Sequence, residues 1–378
     1  MEANLEYLSK YDTRCSWLRY GASAYFGAAK RKGTGGAGEG LPELLGIWVC
    51  HSGELVLPGD GAWEHAKAVV RAALCCSLTL RDHLSHVHWV VANGLSMAAR
   101  TQLGSQHVLR RLLKQFYYGT AEINGASKTT LLPANGLAHR IFALSAAAWP
   151  QYFTDVLAAW QWRPFPDTLA ARGLSPEFVA RWPYAVDGLR LWACMERYVA
   201  GMIDVFYPDE ATLAADDEVA AFWASFETQF QTPWGLPALT RKSLVALVTD
   251  LVFQVTAQHE LVGSIGEYLR TPHGLLTKLA PGASEGDVQS TCQSLILISL
   301  TGIHKPALQG DWSHIFHGMD GAWGARRHER VLGCVELFQA DLTACAEAID
   351  DANRVRVREM GLPFVAFHPR NLLTSVSI

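Results

Sequence analysis

An apolar, alanine-rich helix pattern runs from Trp63 to His88, WEHAKAVVRAALCCSLTLRDHLSHVH, with no Pro or Gly before Gly94. Alanine, leucine and arginine are good helix formers, so the run predicts a single long, buried helix ending in three histidines, His83, His86 and His88. Ahead of it, LLGIWVCHSGELVLPG (44–59) is mostly apolar and β-prone, with a polar turn at His51 to Glu54 that predicts a small strand pair. Residues 1–30 carry two short helix-like patterns. KGTGGAGEGLP (32–42) reads as a flexible loop without the Lys-Ser/Thr ending of a phosphate-binding loop. From 138 to 300 the pattern is helical, broken by WRPFPD, RWPY, YPDE and QTPWGLP, with no internal repeat. The expected fold class is mainly α: a helical domain built around the central helix, with the strand pair near its start. The expected organisation is an N-terminal helical segment and Gly-rich loop over 1–43, continuous with one domain over 44–378.

Composition narrows the function classes. With 378 residues, 49% hydrophobic content and a net charge of −4, the chain can bury a large core and has no basic stripe for nucleic acid. Its eight cysteines form no CxxC pair and MEANLEYLSKYD is not an apolar leader, so a cytoplasmic chain with reduced thiols is expected. No apolar run reaches the ~20 residues that span a bilayer, which leaves at most peripheral membrane contact.

The histidines carry the candidate chemistry. In a regular α-helix residues five apart, such as His83 and His88, point about 140° apart and cannot share one ion. A π-helical turn, closed by i+5 hydrogen bonds, returns them to one face. The residues alone allow either metal ligands or hydrogen-bonded core and surface histidines. His259, on the apolar stretch SLVALVTDLVFQVTAQHELVG, carries the same two readings.

Taken together, the motifs resemble the lipoxygenases, non-haem metal dioxygenases of polyunsaturated fatty acids, in a compact bacterial-type form. Trp63, Ala66 and Lys67 stand at the family's offsets ahead of His83 and His88. HVLRRLL (107–113), TAEIN (120–124) and LLPANG (131–136) follow in the family's order. Asp187, Gly188, Leu191 and Trp192 are similar to its middle segment, AQH at 257–259 with GEY at 266–268 to its third-histidine segment, and the closing SVSI to its usual end.

The resemblance implies a metal site made of His83, His88, His259 and the terminal carboxylate of Ile378, with His86 matching no ligand. The family's further side-chain ligand, Asn, His or Ser four residues after the third histidine, falls on Gly263, so Ser264 or, preferably, water is expected there. Iron cycling between Fe2+ and Fe3+ is implied, with manganese possible. Three imidazoles and one carboxylate leave an open coordination position, unlike a closed thiolate zinc site. The implied reaction takes a hydrogen atom from a 1,4-pentadiene at a metal(III)-hydroxide and adds O2 to give a hydroperoxide. Ser127, Leu131 and Ala138 fall where the family lines its substrate channel, Ser127 replacing the usual Ala or Gly. Arg110, Arg111, Lys128 and Arg140 are candidate carboxylate anchors. The family's many-stranded N-terminal lipid-docking barrel is not expected within 60 residues. Two alternatives stand beside the fatty-acid reading: a compact oxygenase of another unsaturated metabolite, and a non-catalytic lipid-binding descendant.

Overall fold

The computed structural model describes residues 1–27, 42–228, 233–263, 276–286, 288, 289, 291, 292 and 306–376. The Gly-rich stretch read as a loop lies, Pro42 aside, outside the described residues. Four strands come first: β1 (Glu2–Asn4), β2 (Ala22–Gly27), β3 (Glu43–Val49) and β4 (Glu54–Val56). Then α1 (Trp63–Cys76) passes directly into a π-helix, Ser77–Ala92, and on into α2 (Asn93–Gln102). The further helices used below are α3 (Thr120–Thr130), α4 (Pro183–Phe206), α5 (Asp217–Thr228), α6 (Arg241–Phe253), α7 (His259–Gly263) and α8 (Ala325–Met360). The described residues are mainly helical with one small antiparallel sheet, the fold class that the periodicity predicts.

The N-terminal expectation is corrected. In place of two helices, residues 1–27 form β1, a single 3-10 turn at Glu6–Lys10, and β2. The strand pair read from 44–59 is β3 and β4, extended by β2 and β1 into a sheet of order β1-β2-β3-β4. The register Ala22↔Val49, Ser23↔Trp48 and Ala24↔Ile47 shows the cause. ASAYFG is recruited as a strand by a partner some 25 residues later, and strand preference of this kind depends on the tertiary neighbour more than on local pattern.

The described residues fall into two compact units. The first comprises residues within Met1–Ser85, Gly125–Val156 and Val262–Gly302. Its sheet packs on α1, where Ala66, Ala72 and Ala73 are buried with Ile47, Val49 and Val56. Small side chains on the helix let the backbone approach the strands closely. The start of the π-helix is fixed to the N-terminal segment by Tyr7, whose hydroxyl donates to Ser77 Oγ at 2.9 Å and whose ring lies 5.2 Å from the Arg81 guanidinium.

The second unit comprises residues within His86–Asn124, Leu157–Leu261 and Ile303–Ile378. Its core is α4, packed against α6 and α8. Asp187, fully buried, forms a two-point ion pair with Arg356, its Oδ1 accepting from Nη2 at 2.9 Å and its Oδ2 from Nη1 at 2.5 Å. A Cβ on the next residue, Gly188, would stand 2.4 Å from Phe165 Cζ, so only glycine lets that ring seat against the helix. Phe165, Trp192, Phe253 and Phe367 complete an aromatic cluster there. The segment read as the family's middle motif is thus the packing centre of this unit. His314 and His317 are both exposed.

Candidate metal centre

Both helices that carry the histidines widen where they carry them. The π-helix holds His83 and His88, five residues apart, and Ser85 Oγ inside it donates to the Leu80 carbonyl five residues back at 2.6 Å. A second π-helical turn, Gln254–Gln258, follows α6 and ends at His259, the first residue of α7. π-Turns of this kind aim side chains that an α-helix would splay apart. His88 Nε2 lies 3.2 Å from His259 Nε2, with the rings edge to face. The ligand nitrogens of His83, His88 and His259 all lie within 4.8 Å of one another. Their exposures are 8%, 3% and 1%, so the cluster is shielded from water. His86, half-buried, is not in it.

A residue without an assigned role in the sequence reading sets the chemistry of His88. Asn124 of α3 faces His88 Nδ1 at 2.7 Å through its Oδ1. The amide orientation follows from its other side, where Nδ2 donates to the His88 carbonyl at 3.0 Å and to Asn93 Oδ1 at 2.6 Å. Oδ1 is therefore an acceptor, His88 carries its proton on Nδ1, and the Nε2 lone pair is left facing the other imidazoles. This is the usual way a protein presents a neutral imidazole to a metal. A signal was present in the sequence: Thr120, Asn124 and Ser127, at i, i+4 and i+7, are all polar and all buried. A polar stripe turned inward on a helix marks groups that something must satisfy.

Gly263 also bears on the site. A Cβ there would lie 3.0 Å from His83 Nε2 and 3.4 Å from its Cε1, so the bare glycine gives that imidazole its place. Three buried imidazoles, one with its tautomer fixed, make a donor set suited to a divalent transition metal.

Ser264 and Ile378 lie outside the described residues. The tail is described through Val376. Leu373 bridges Ala307, Thr374 N–H donates to the Pro306 carbonyl at 2.9 Å, and Ser375 Oγ donates to the Tyr118 carbonyl at 2.7 Å. Thr374, Ser375 and Val376 are fully buried.

The channel candidates Ser127, Leu131 and Ala138 come together at the end of α3: Leu131 N–H donates to the Ser127 carbonyl and Ala138 N–H to the Leu131 carbonyl. Ser127 and Ala138 are buried and Leu131 half-buried. Of the candidate carboxylate anchors, Arg110, Arg111 and Arg140 donate to main-chain carbonyls of Leu103, Ile315 and Asn135, and Lys128 is exposed. Among the described residues no helix is long and apolar enough to cross a membrane.

Comparison with known proteins points to one family. The chain is 28% identical over 352 residues to a polyunsaturated fatty acid lipoxygenase (ALOX12) of Mus musculus, covering 86% of this chain and 50% of that one. It is 25% identical over 339 residues to a linoleate 9/13-lipoxygenase of Pseudomonas aeruginosa, covering 84% and 48%. A crystal structure of a lipoxygenase in complex with arachidonate superposes with a TM-score of 0.81 at 18% identity, over 100% of this chain and 59% of that one. The chain thus spans about half the length of the relatives it matches. Residues 56–271, more than half of the sequence, match the lipoxygenase profile, and the chain belongs to the lipoxygenase family.

Proposed function

We propose that this chain is an oxygenase of polyunsaturated fatty acids, adding O2 to a 1,4-pentadiene to give a hydroperoxide. The observation that carries the reading is the buried cluster of His83, His88 and His259, with ligand nitrogens within 4.8 Å of one another. These three residues would hold a non-haem iron or manganese, with the carboxylate of Ile378 as the anionic ligand and Ser264 or water completing the shell. Bound there, the metal would supply one-electron redox chemistry toward a doubly allylic C–H bond and O2. The residues do the positioning. Asn124 keeps the His88 lone pair inward, Gly263 leaves room for His83, and burial excludes water from the imidazoles. Ser127, Leu131 and Ala138 are proposed to line the substrate channel. The tail is buried and pinned over Leu373–Val376, which supports the reading as far as the described residues go.

The test is conjugated-diene absorbance with linoleate or arachidonate and O2. The reading requires diene formation by the metal-loaded chain and its loss in His259→Ala. A metal-loaded chain that forms no diene with either acid overturns it. The buried hydroxyl of Ser127 favours the second reading, a more polar unsaturated substrate, in that event. For Ile378, a C-terminal tag converts the carboxylate to an amide. It should abolish diene formation where an N-terminal tag does not, and equal activity of the two tagged forms removes Ile378 from the ligand set.

A further inference from the structure

Helices α4 and α8 pack antiparallel, and their contacts run in a steady register. Gly201 faces Cys334, where a Cβ on the glycine would lie 3.1 Å from Sγ. Tyr198 stacks on Phe338 at 4.5 Å between ring centroids, and Arg197 Nε donates to Asp341 Oδ2 at 2.8 Å. The next pair is Cys194 and Cys345. Cys194 Sγ lies 3.6 Å from the Asp341 carbonyl oxygen and 3.3 Å from that of Arg190. Side chains on a helix lean toward its N-terminus, so the Cys345 sulfur sits over the turn that begins at Asp341. There the Cys345 thiol faces that of Cys194 across the helix seam. Both are free thiols, 4% and 5% exposed. They lie beneath Arg190 and Arg197, whose side chains are 42% and 54% exposed, which sets the pair just under the surface.

We propose that Cys194 and Cys345 are a hydroperoxide-reactive dithiol, Cys194 attacking and Cys345 resolving, that closes to a disulfide between α4 and α8. The two sulfurs are not equivalent. The neighbouring Cys345 thiol, together with the charge of Arg197 at 3.8 Å, holds the Cys194 thiol below its ordinary value in spite of burial. The proximity of Cys194, with burial, pushes Cys345 up. A thiolate is the nucleophile toward peroxide, so the asymmetry assigns the order of events. Burial instead raises Cys50, Cys75, Cys76 and Cys334.

The chemistry balances with one hydroperoxide. The Cys194 sulfur attacks the distal oxygen and the O–O bond breaks. The alkoxide leaves and takes up a proton as an alcohol, giving a sulfenic acid at Cys194. Cys345 sulfur then attacks Cys194 sulfur, the S–O bond breaks, and hydroxide leaves with the Cys345 proton as water. Two thiols lose two hydrogens and two electrons, and the hydroperoxide is reduced to alcohol and water.

The experiment uses the full chain as purified and tert-butyl hydroperoxide supplied from outside, so its outcome is independent of the oxygenase reading. After exposure, free thiols are blocked with N-ethylmaleimide and the unreduced digest is mapped by mass spectrometry. The expected result is a Cys194–Cys345 peptide lighter by two hydrogens and lost on treatment with dithiothreitol. In Cys345→Ser, dimedone should label Cys194, and adding Arg197→Met should slow that labelling about threefold to tenfold. The proposal is overturned if Cys194 and Cys345 are both still alkylated after the exposed Cys15 and Cys292 have been oxidised. It is also overturned if Cys345 in Cys194→Ser takes dimedone as fast as Cys194 does in Cys345→Ser.

Discussion

Replacing Asn124 by Ala tests how the protein prepares its imidazoles. Three of the side chain's hydrogen bonds run to His88 Nδ1 at 2.7 Å, the His88 carbonyl at 3.0 Å and Asn93 Oδ1 at 2.6 Å. At about 0.5–1.5 kcal/mol net for each bond, their loss should cost roughly 1.5–4.5 kcal/mol of stability. The cost falls in the upper part of that range if the Nδ1 proton of His88, a residue only 3% exposed, finds no other acceptor. The effect on metal binding has a different source. Without an acceptor at Nδ1, the imidazole is free to shift its proton to Nε2 and to turn, and groups orienting a ligand in this way are typically worth about 10–100-fold in metal affinity. Competition against a graded chelator reads the second effect, and denaturant unfolding of the metal-stripped chain reads the first. Asn124→Asp separates them. It keeps an acceptor for His88 Nδ1 but turns the Nδ2 position into an oxygen facing two other oxygens. Metal affinity should recover while stability does not. If Asn124→Ala binds metal as tightly as the parent chain, the tautomer argument is wrong.

Other perturbations follow from the same contacts. Gly263→Ala should weaken metal retention, because its Cβ would stand 3.0 Å from His83 Nε2 and push the ring aside; unchanged competition against the chelator would show that His83 does not need this space. Asp187→Ala should cost about 3–5 kcal/mol in denaturant unfolding, since it strands the Arg356 guanidinium, whose side chain is 10% exposed, while a loss below 1 kcal/mol would mean that water reaches the pair. Asp250, buried with Trp162 Nε1 donating to it at 3.0 Å, is pushed up to about 7 by burial. Its folded state holds the proton more tightly than the unfolded state, so its stabilising contribution is complete below about pH 4 and is lost as pH rises to about 7. Relative to Asp250→Asn, the parent chain should therefore lose stability over that window and run parallel above it, and parallel curves throughout would place Asp250 in contact with solvent.

What the sequence shows and what it hides divide along the range of the interactions. The apolar pattern ending in His83 and His88 is local, and its five-residue spacing needs a π-turn only if the two histidines share an ion, which the pattern alone leaves open. The inward polar stripe Thr120, Asn124, Ser127 is local too, but its partner His88 is 36 residues away, so the stripe shows a buried need without naming what meets it. Asp187 finds Arg356 across 169 residues, and no periodicity carries that pairing. The N-terminal strands fail for the same reason: ASAYFG has no strong preference of its own, and pairing with β3 decides it. Gly263 looks like a missing ligand in the sequence, whereas in the structure its bareness makes room for one.

The central claim is that His83, His88 and His259 form one metal site, and elemental analysis of the purified chain tests it most directly. Each protein chain should carry about one iron or manganese ion. His83→Ala, His88→Ala and His259→Ala should each lose it at unchanged helical content, while His86→Ala keeps it. A folded chain that retains its metal after removal of any of the three, or loses it only with His86, would contradict the account.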